Sequence, residues 1–534
     1  MTKTIQAAEL LAQLDGNSAG ELALFDAREE GVFGHRHILY AACLSLSQLE
    51  LRVADLIPRA GTPVVICDAG GGEAELAASR MLALGYSDIS VLEGGLDAWE
   101  AAGYELFSGL NVPSKAFGEF IEHEYGTPSV SADELKAMMD NGENMVVLDS
   151  RPMAEYSMMN IPTGIDCPGA ELVHRVHEVV PDPETTVVVN CAGRTRSIIG
   201  AQSLIDANIP NKVVALRNGT MGWHLAGHKL EHGRNTHAPT PSPEAAQLGR
   251  ERAEVAGRRF GVRMVDAATL DTWRAECDQH TLYVLDVRTI QEFEASRVAD
   301  SRHAPGGQLV QGTDTYIVTR GARVVLIDDA MTRALMTAGW LIQLGWPDVY
   351  VLESGLDGQK TVSGPRDVEV PGDPGATVTA ISPSEAQAAV TAGDAILIDL
   401  QRSLGHREKH AEGARFAIRA RLAADLDAAG KSGTVLLLAE NDALARLAAA
   451  ELSASGRAAK VVTGGNAAWE AAGLTMAAGS GNPLSSPDDV YMRPYDRSSQ
   501  AEVEKAMNDY LTWEIALVEQ IQRPGGISFQ SYPE

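Results

Sequence analysis

Short apolar runs alternate along this chain with longer stretches of helical spacing. Runs of four or five β-branched and aliphatic residues predict buried strands. Four such runs end in an aspartate, and the spacings between these aspartates are 123, 137 and 113 residues. The four runs are Leu24-Phe25-Asp26, Val147-Leu148-Asp149, Val284-Leu285-Asp286 and Leu397-Ile398-Asp399. A unit of about this length is therefore written four times along the chain.

Each unit continues in the same order, with a second apolar strand, an Ala- and Leu-rich helical stretch, and a third strand closed by glycine. Strands that alternate with helices predict an α/β fold, a parallel sheet with helices on both faces. We expect a C-terminal tail with one amphipathic helix, from Ser499 to Gln522, which buries its apolar face against a domain or a second subunit. A homodimer is therefore possible. The expected units are 1–107, 129–235, 262–360 and 377–478, and the tail is 479–534.

The charge and the cysteines limit the classes of function. The chain has 44 Lys and Arg against 72 Asp and Glu, a formal charge of −28. Such a chain disfavours nucleic acid and anionic membranes, so an anionic substrate needs a local basic patch. Five cysteines without a CxxC pair disfavour a disulfide framework and a zinc site, and they favour a reducing, cytoplasmic compartment. We expect no metal, no cofactor and no membrane span.

The candidate chemistry lies where the second strand of the second unit ends. A β-branched run leads through Asn190 to Cys191, and a polar loop and a helical stretch follow. Ligands bind at the carboxyl ends of parallel strands, and a helix N-terminus stabilises anions and thiolates. We therefore expect Cys191 to be a nucleophile with a lowered pKa. The residues expected to bind substrate are Ala192, Gly193, Arg194, Thr195, Arg196 and Ser197.

The corresponding position differs in each of the other three units. Alignment on the second strand places Asp68, Asp328 and Ala439 where the second unit has Cys191. None of these side chains is a sulfur nucleophile, so one unit is expected to be catalytic and three non-catalytic. Cys67 lies one position early and is expected to point away from its loop.

The Asp-x-Arg turn, the six-residue loop and the Gly-Gly-x-x-x-Trp segment together resemble the rhodanese domain, and most closely bacterial proteins with four tandem rhodanese domains. The resemblance covers nearly the whole chain apart from linkers and tail. It implies a loop whose backbone amides encircle a persulfide-forming cysteine, and transfer of sulfane sulfur. Arg196 and Ser197 match the family pattern. Gly193 departs from it, because it lies two residues after Cys191 and the common pattern has glycine at three.

The resemblance implies a sulfurtransferase that moves sulfur from thiosulfate or a similar donor to a thiol or cyanide, with Cys191 and Arg196 as catalytic residues. A persulfide carrier or interaction scaffold is the alternative. Four residues separate Cys191 from Arg196, and this short ring disfavours a phosphatase, whose loop has five.

Further arginines are candidates for the pocket. Arg217 follows the third strand of the second unit. Arg151 belongs to a turn that recurs in units without a nucleophile, which favours a structural role. Arg175 lies at i+4 from Glu171, so a helical ion pair is its alternative. Cys167 is expected to be a small core residue.

Overall fold

The computed structural model describes residues 3–15 and 20–532. Each repeated unit forms one main sheet of five strands, and the five strands of a unit all pair in parallel with one another. In sheet order, the strands are Lys3–Ile5, Ile89–Leu92, Val64–Cys67, Leu22–Asp26 and Ala42–Cys43 in the first unit; Ser129–Val130, Val213–Leu216, Thr186–Asn190, Met145–Asp149 and Ile165–Asp166 in the second; Arg263–Val265, Val349–Leu352, Arg323–Ile327, Leu282–Asp286 and Arg302–His303 in the third; Ala380–Ile381, Ala459–Val462, Thr434–Leu438, Ala395–Asp399 and Arg415–Phe416 in the fourth.

Helices follow the strands in each unit. They are Ala7–Leu14, Glu30–Phe33, Leu49–Leu56, Glu73–Ala83 and Gly95–Ala101 in the first unit; Ala132–Asp140, Met153–Met158, Glu171–Val179, Thr195–Asp206 and Gly219–Leu225 in the second; Ala267–Ala275, Ile290–Ala295, Gly306–Gln311 and Thr332–Gln343 in the third; Pro383–Ala392, Ser403–Glu408, Leu422–Ala428, Asp442–Ala454 and Gly465–Ala471 in the fourth. Short 3₁₀ turns are Thr313–Thr315, Gly375–Thr377, Arg419–Arg421 and Pro494–Asp496. Two small antiparallel pairs join Arg297–Val298 to Thr361–Val362 and His410–Ala411 to Met476–Ala477.

The predicted α/β class with repeated parallel sheets is confirmed. The Gly- and Pro-containing segment between the expected first and second units forms a helix, Val112–Tyr125. Its proline lies at the start of the helix, where the missing N–H costs nothing. The segment after the second unit also forms a helix, Pro243–Arg259, and the predicted tail helix is Gln500–Gln520 with Ser499 as its N-cap.

The aspartate that ends the first central strand of each unit builds the same turn four times. In the second unit, Asp149 accepts hydrogen bonds from the backbone N–H and the guanidinium of Arg151, at 3.1 and 2.9 Å. Arg151 also donates to the carbonyl of Met159 at 2.6 Å. The equivalent pairs in the other units are Asp26 with Arg28, Asp286 with Arg288, and Asp399 with Gln401. The turn is thus a structural device. Its recurrence favours the structural alternative for Arg151, whose pocket role stays a prediction.

A glycine after the third strand sets the position of each loop. Gly219 has a φ of +53°, and a Cβ there would lie 2.3 Å from the carbonyl oxygen of Cys191. Gly95, Gly355 and Gly465 are equally placed against Asp68, Asp328 and Ala439. The last glycine of the repeated motif is therefore needed for both its left-handed backbone and its close approach.

The units pack against one another through shared elements. One hydrophobic core joins the second and third units with the connecting helices, and it includes Phe117, Ile199 and Trp340. Strand Thr319–Arg320, which comes just before strand Arg323–Ile327 of the third unit, pairs antiparallel with Leu22–Asp26 and extends the first unit's sheet. Within the described ranges, no helix combines the length and apolar character that crossing a membrane requires.

Candidate active site

Cys191 lies at the carboxyl end of strand Thr186–Asn190, directly before the loop that leads into helix Thr195–Asp206. The residue is only 2% exposed. Its Sγ is 3.5 Å from the hydroxyl of Ser197, which donates to the carbonyl of Arg194 at 2.8 Å. The sequence-predicted nucleophile and its loop are thus together at the edge of the sheet where parallel folds place ligands.

The expected lowering of the Cys191 pKa is wrong for this structure. Burial raises the pKa of the thiol, and the nearby carboxylate of Glu514 raises it further. Arg196 and the hydrogen bonds of Ser197 act in the opposite direction but do not outweigh burial. The sequence showed the cations and the helix terminus, but it did not show how completely the sulfur is removed from water.

The sister loops show what the ring of backbone amides holds. In the first unit, the carboxylate of Asp68 accepts from the N–H groups of Gly70, Gly72 and Ala74 at 2.8, 2.9 and 3.2 Å. In the third unit, Asp328 accepts from three N–H groups, those of Ala330, Arg333 and Ala334. In two of four units, therefore, the first side chain of the loop is an anion held by the amides that follow it.

Both loop arginines of the second unit are paired with glutamates. Arg194 donates to Glu119 at 2.6 and 2.8 Å and also contacts Glu122, both on helix Val112–Tyr125. Arg196 makes a two-pronged contact with Glu155 at 2.7 and 2.8 Å. The sequence expectation of a local basic patch is therefore not met, since each guanidinium already faces a carboxylate. A role for either arginine in donor binding stays a prediction.

The other candidate arginines contact groups outside the Cys191 loop. Arg175 pairs with Glu171 at 2.5 Å, as its i+4 spacing predicts, and donates to the carbonyls of Ala238 and Pro239. Arg217 is exposed and contacts the hydroxyl of Ser129. Their contacts are those of surface and interface residues, and a pocket role stays a prediction for both.

The C-terminal helix covers the loop, which the sequence did not predict. Glu514 is 1% exposed and accepts a hydrogen bond from the Thr195 hydroxyl at 2.6 Å. Tyr510 and Glu514 lie against Gly193, where an added Cβ would be 3.2 and 3.3 Å from them. Tyr495, just before the helix, lies 3.2 Å from the hydroxyl of Thr220. The tail is thus part of the wall of the site.

The sequence of the C-terminal helix contains an indication that it contacts the loop. The buried positions are Met507, Leu511, Glu514 and Leu517, a helical stripe in which one member is charged. A carboxylate on an apolar stripe indicates a buried polar partner, which here is Thr195. Ile515, an apolar residue of the same helix, is 52% exposed.

The remaining cysteines carry no comparable surroundings. Cys67 is fully buried with its Sγ 3.6 Å from the carbonyl of Phe25, which confirms that it points away from its loop. Cys167 lies in the shared core, as predicted. The described part of the chain contains no group of three or more His, Cys, Asp or Glu that could hold a metal ion.

Similarity to known proteins agrees with these repeated loops. A family model described as "Rhodanese-like domain" matches residues 6–102, 131–226 and 266–361. The crystal structure of a thiosulfate sulfurtransferase from Pseudomonas aeruginosa is 43% identical, covers 99% of this chain and 100% of its own, and superposes with a TM-score of 0.94. An HTH-type transcriptional regulator of Mycobacterium tuberculosis is 30% identical over 110 residues, 20% of this chain, and the match spans about half of that relative, 47%.

Proposed function

Because this chain belongs to the rhodanese family, a family of sulfurtransferases, we propose that it moves a sulfane sulfur from thiosulfate to a thiol or cyanide through a persulfide on Cys191. The observation that carries the proposal is the amide ring. The equivalent ring holds a carboxylate at Asp68 and at Asp328, and a Cys191 persulfide places an anion in the same position. In the second unit the residue that opens the ring is a nucleophile instead of a fixed acid.

The chemistry follows from the position of the sulfur. The Cys191 thiolate attacks the outer sulfur of thiosulfate, the sulfur–sulfur bond of the donor breaks, and sulfite leaves with the bonding electron pair. The amides of the loop stabilise the anionic persulfide, as an oxyanion hole stabilises an alkoxide. Since burial raises the pKa of Cys191, the reactive thiolate is the minor form at neutral pH, and the first step should accelerate as the pH rises.

The test is mass spectrometry of peptides after incubation with thiosulfate. One added sulfur atom is expected on the Cys191 peptide, and sulfite should be released in equal amount. Cys191→Ser should abolish both. Cys277→Ser is the matched control, because Cys277 is an exposed thiol outside the loop, and it should keep full activity. Sulfite release that persists in Cys191→Ser would refute the proposal.

The pairing of Arg194 and Arg196 with glutamates supports the carrier alternative. Because each guanidinium already binds a carboxylate, neither is free to bind the sulfonate group of thiosulfate. A carrier would accept sulfur from a low-molecular-weight persulfide. Stoichiometric loading of Cys191 from glutathione persulfide, with negligible turnover of thiosulfate, would select this function. Rapid thiosulfate turnover would exclude it.

A further inference from the structure

The carboxylate of Glu514 is the feature of the site that neither the amide ring nor the family resemblance accounts for. One oxygen accepts from the hydroxyls of Thr195 at 2.6 Å and of Tyr510 at 3.4 Å. The other oxygen, Oε2, is buried and has no hydrogen-bond donor among the described protein groups. A buried carboxylate oxygen without a donor is costly, which indicates that a ligand or water completes it.

The free oxygen is directed at the active loop. It would lie 3.3 Å from a Cβ on Gly193, two residues from the nucleophile. The charge of Lys115 acts on Glu514. Its ammonium group, however, donates a hydrogen bond to the carbonyl of Leu110 at 2.7 Å and lies over the rings of Tyr510 and Trp513. The lysine therefore does not satisfy Oε2.

The charges around the loop indicate which charge a ligand of Oε2 should carry. Arg194 faces two carboxylates and Arg196 faces one, so both cations are already matched. The hydroxyls on Glu514 are neutral, and no cation of the described residues lies within ion-pair distance of its carboxylate, although the charge of Lys115 acts on it. A charged group that reaches Oε2 of Glu514 is thus attracted if it is a cation and repelled if it is an anion.

We propose that Glu514 makes the acceptor step selective for thiols that carry an ammonium group, the aminothiols. This rests on the proposed function, because it concerns the second half of that reaction. The acceptor thiolate attacks the outer sulfur of the Cys191 persulfide and forms a new sulfur–sulfur bond. The bond to Cys191 breaks, its electron pair returns to Cys191 as a thiolate, and the acceptor leaves as a persulfide. The ammonium group donates to Oε2 and keeps its charge throughout.

The experiment measures the second half-reaction alone. Protein loaded with one sulfur on Cys191 is mixed with cysteamine, 2-mercaptoethanol or 3-mercaptopropionate, which are cationic, neutral and anionic thiols of similar size. Loss of the sulfur is followed by rapid quench and mass spectrometry, and each rate is expressed per thiolate. The wild type should prefer cysteamine to 2-mercaptoethanol by about tenfold, as one close ion pair in a partly buried site provides, and 3-mercaptopropionate should be slowest.

Three variants separate charge from structure. Glu514→Gln should bring the three rates within about twofold to threefold of one another, and Glu514→Asp should keep the order. Glu519→Gln is the matched control, an exposed glutamate on the same helix, and should leave the wild-type ratio unchanged. A structural or general-base role would slow all three thiols by one factor and leave their ratio intact.

Two outcomes would overturn the proposal. One is equal rates for the three thiols in the wild type, which would mean that Oε2 holds water only. The other is an unchanged ratio of the rates in Glu514→Gln. The wild-type series decides even if Glu514→Gln does not fold. If thiosulfate fails to load Cys191, polysulfide is used instead, so that failure of the thiosulfate donor is distinguished from failure of the selectivity. Failure of every donor would refute both proposals.

Discussion

The loops that open at Cys191 and at Asp328 have the same length and carry an arginine at the same position, yet they use it differently. Arg333 is fully buried and turns inward, where it contacts Asp328, Asp329, Glu292 and, across the unit boundary, Glu171. In the second unit, Arg196 pairs only with Glu155, the counterpart of Glu292, among the ion pairs of the described residues. The centre of the second ring is thus left to the cysteine. The loop arginine of the third unit thus ties its loop to the second unit through Glu171, whereas the corresponding arginine of the second unit stays within its own unit.

The largest expected effect comes from removing the arginine of the third loop. Arg333→Met leaves Asp328 buried without its cation and leaves Glu171 with Arg175 alone, which should cost about 3–5 kcal/mol of unfolding free energy. Arg196→Met is the matched variant, and because Glu155 keeps access to water it should cost only about 1 kcal/mol. Urea unfolding measures both. Equal losses would contradict the assignment of Arg333 as an interface residue.

Arg196→Met should lose more activity than Arg333→Met, the opposite of their order in loss of stability. Arg196→Met should slow persulfide formation, since Arg196 is the cation that opposes the rise in the pKa of Cys191. Arg333→Met should leave the rate per folded molecule close to that of the wild type. Sulfite release at a temperature where both variants are folded separates the two effects, and a rate loss confined to Arg333→Met would reverse the comparison.

A second matched pair tests the glycines behind the loops. Gly219→Ala and Gly355→Ala each force an alanine into a left-handed backbone, with φ of +53° and +55°, at about 1–2 kcal/mol. The new Cβ would press on the carbonyl of Cys191 in one case and on that of Asp328 in the other. Only the first should displace the nucleophile, and a shift of this kind lowers the rate by on the order of 100-fold.

Thermal unfolding and sulfite release should therefore separate this pair. Both variants should melt earlier, and only Gly219→Ala should lose activity. If Gly355→Ala were equally inactive, the third loop would be taking part in catalysis, and the division into one working and three silent units would be wrong.

Much of this comparison was readable from the sequence, because the repeat fixes which positions correspond. The parallel sheets, the place of Cys191 at a strand end and the acids at positions 68 and 328 all follow from short apolar runs at regular spacing. Local patterns carry this information, since a strand and the loop after it are adjacent in the chain.

The partners of the loop could not be read in the same way. Glu119 and Glu122 reach Arg194 from a helix 75 and 72 residues earlier, and Glu514 reaches Thr195 from 319 residues later. No spacing rule connects such positions, because they are set by how whole units and helices pack. The error on the pKa of Cys191 has the same origin, since burial of the sulfur depends on these distant segments.

The smallest expected effect is a shift in the pKa of Cys191. Its direction decides whether burial or the loop amides dominate that pKa. Burial raises the pKa of Cys191, and a thiol pKa that is higher by one lowers the thiolate fraction about tenfold at any pH well below it. Labelling of the Cys191 peptide by iodoacetamide should therefore rise with pH to a midpoint above that of the same peptide in urea, where a free thiol titrates near about 8.5. Only the midpoint matters, because restricted access lowers the rate at every pH equally. A midpoint below the unfolded value would mean that the loop amides outweigh burial at this sulfur and lower the pKa of Cys191.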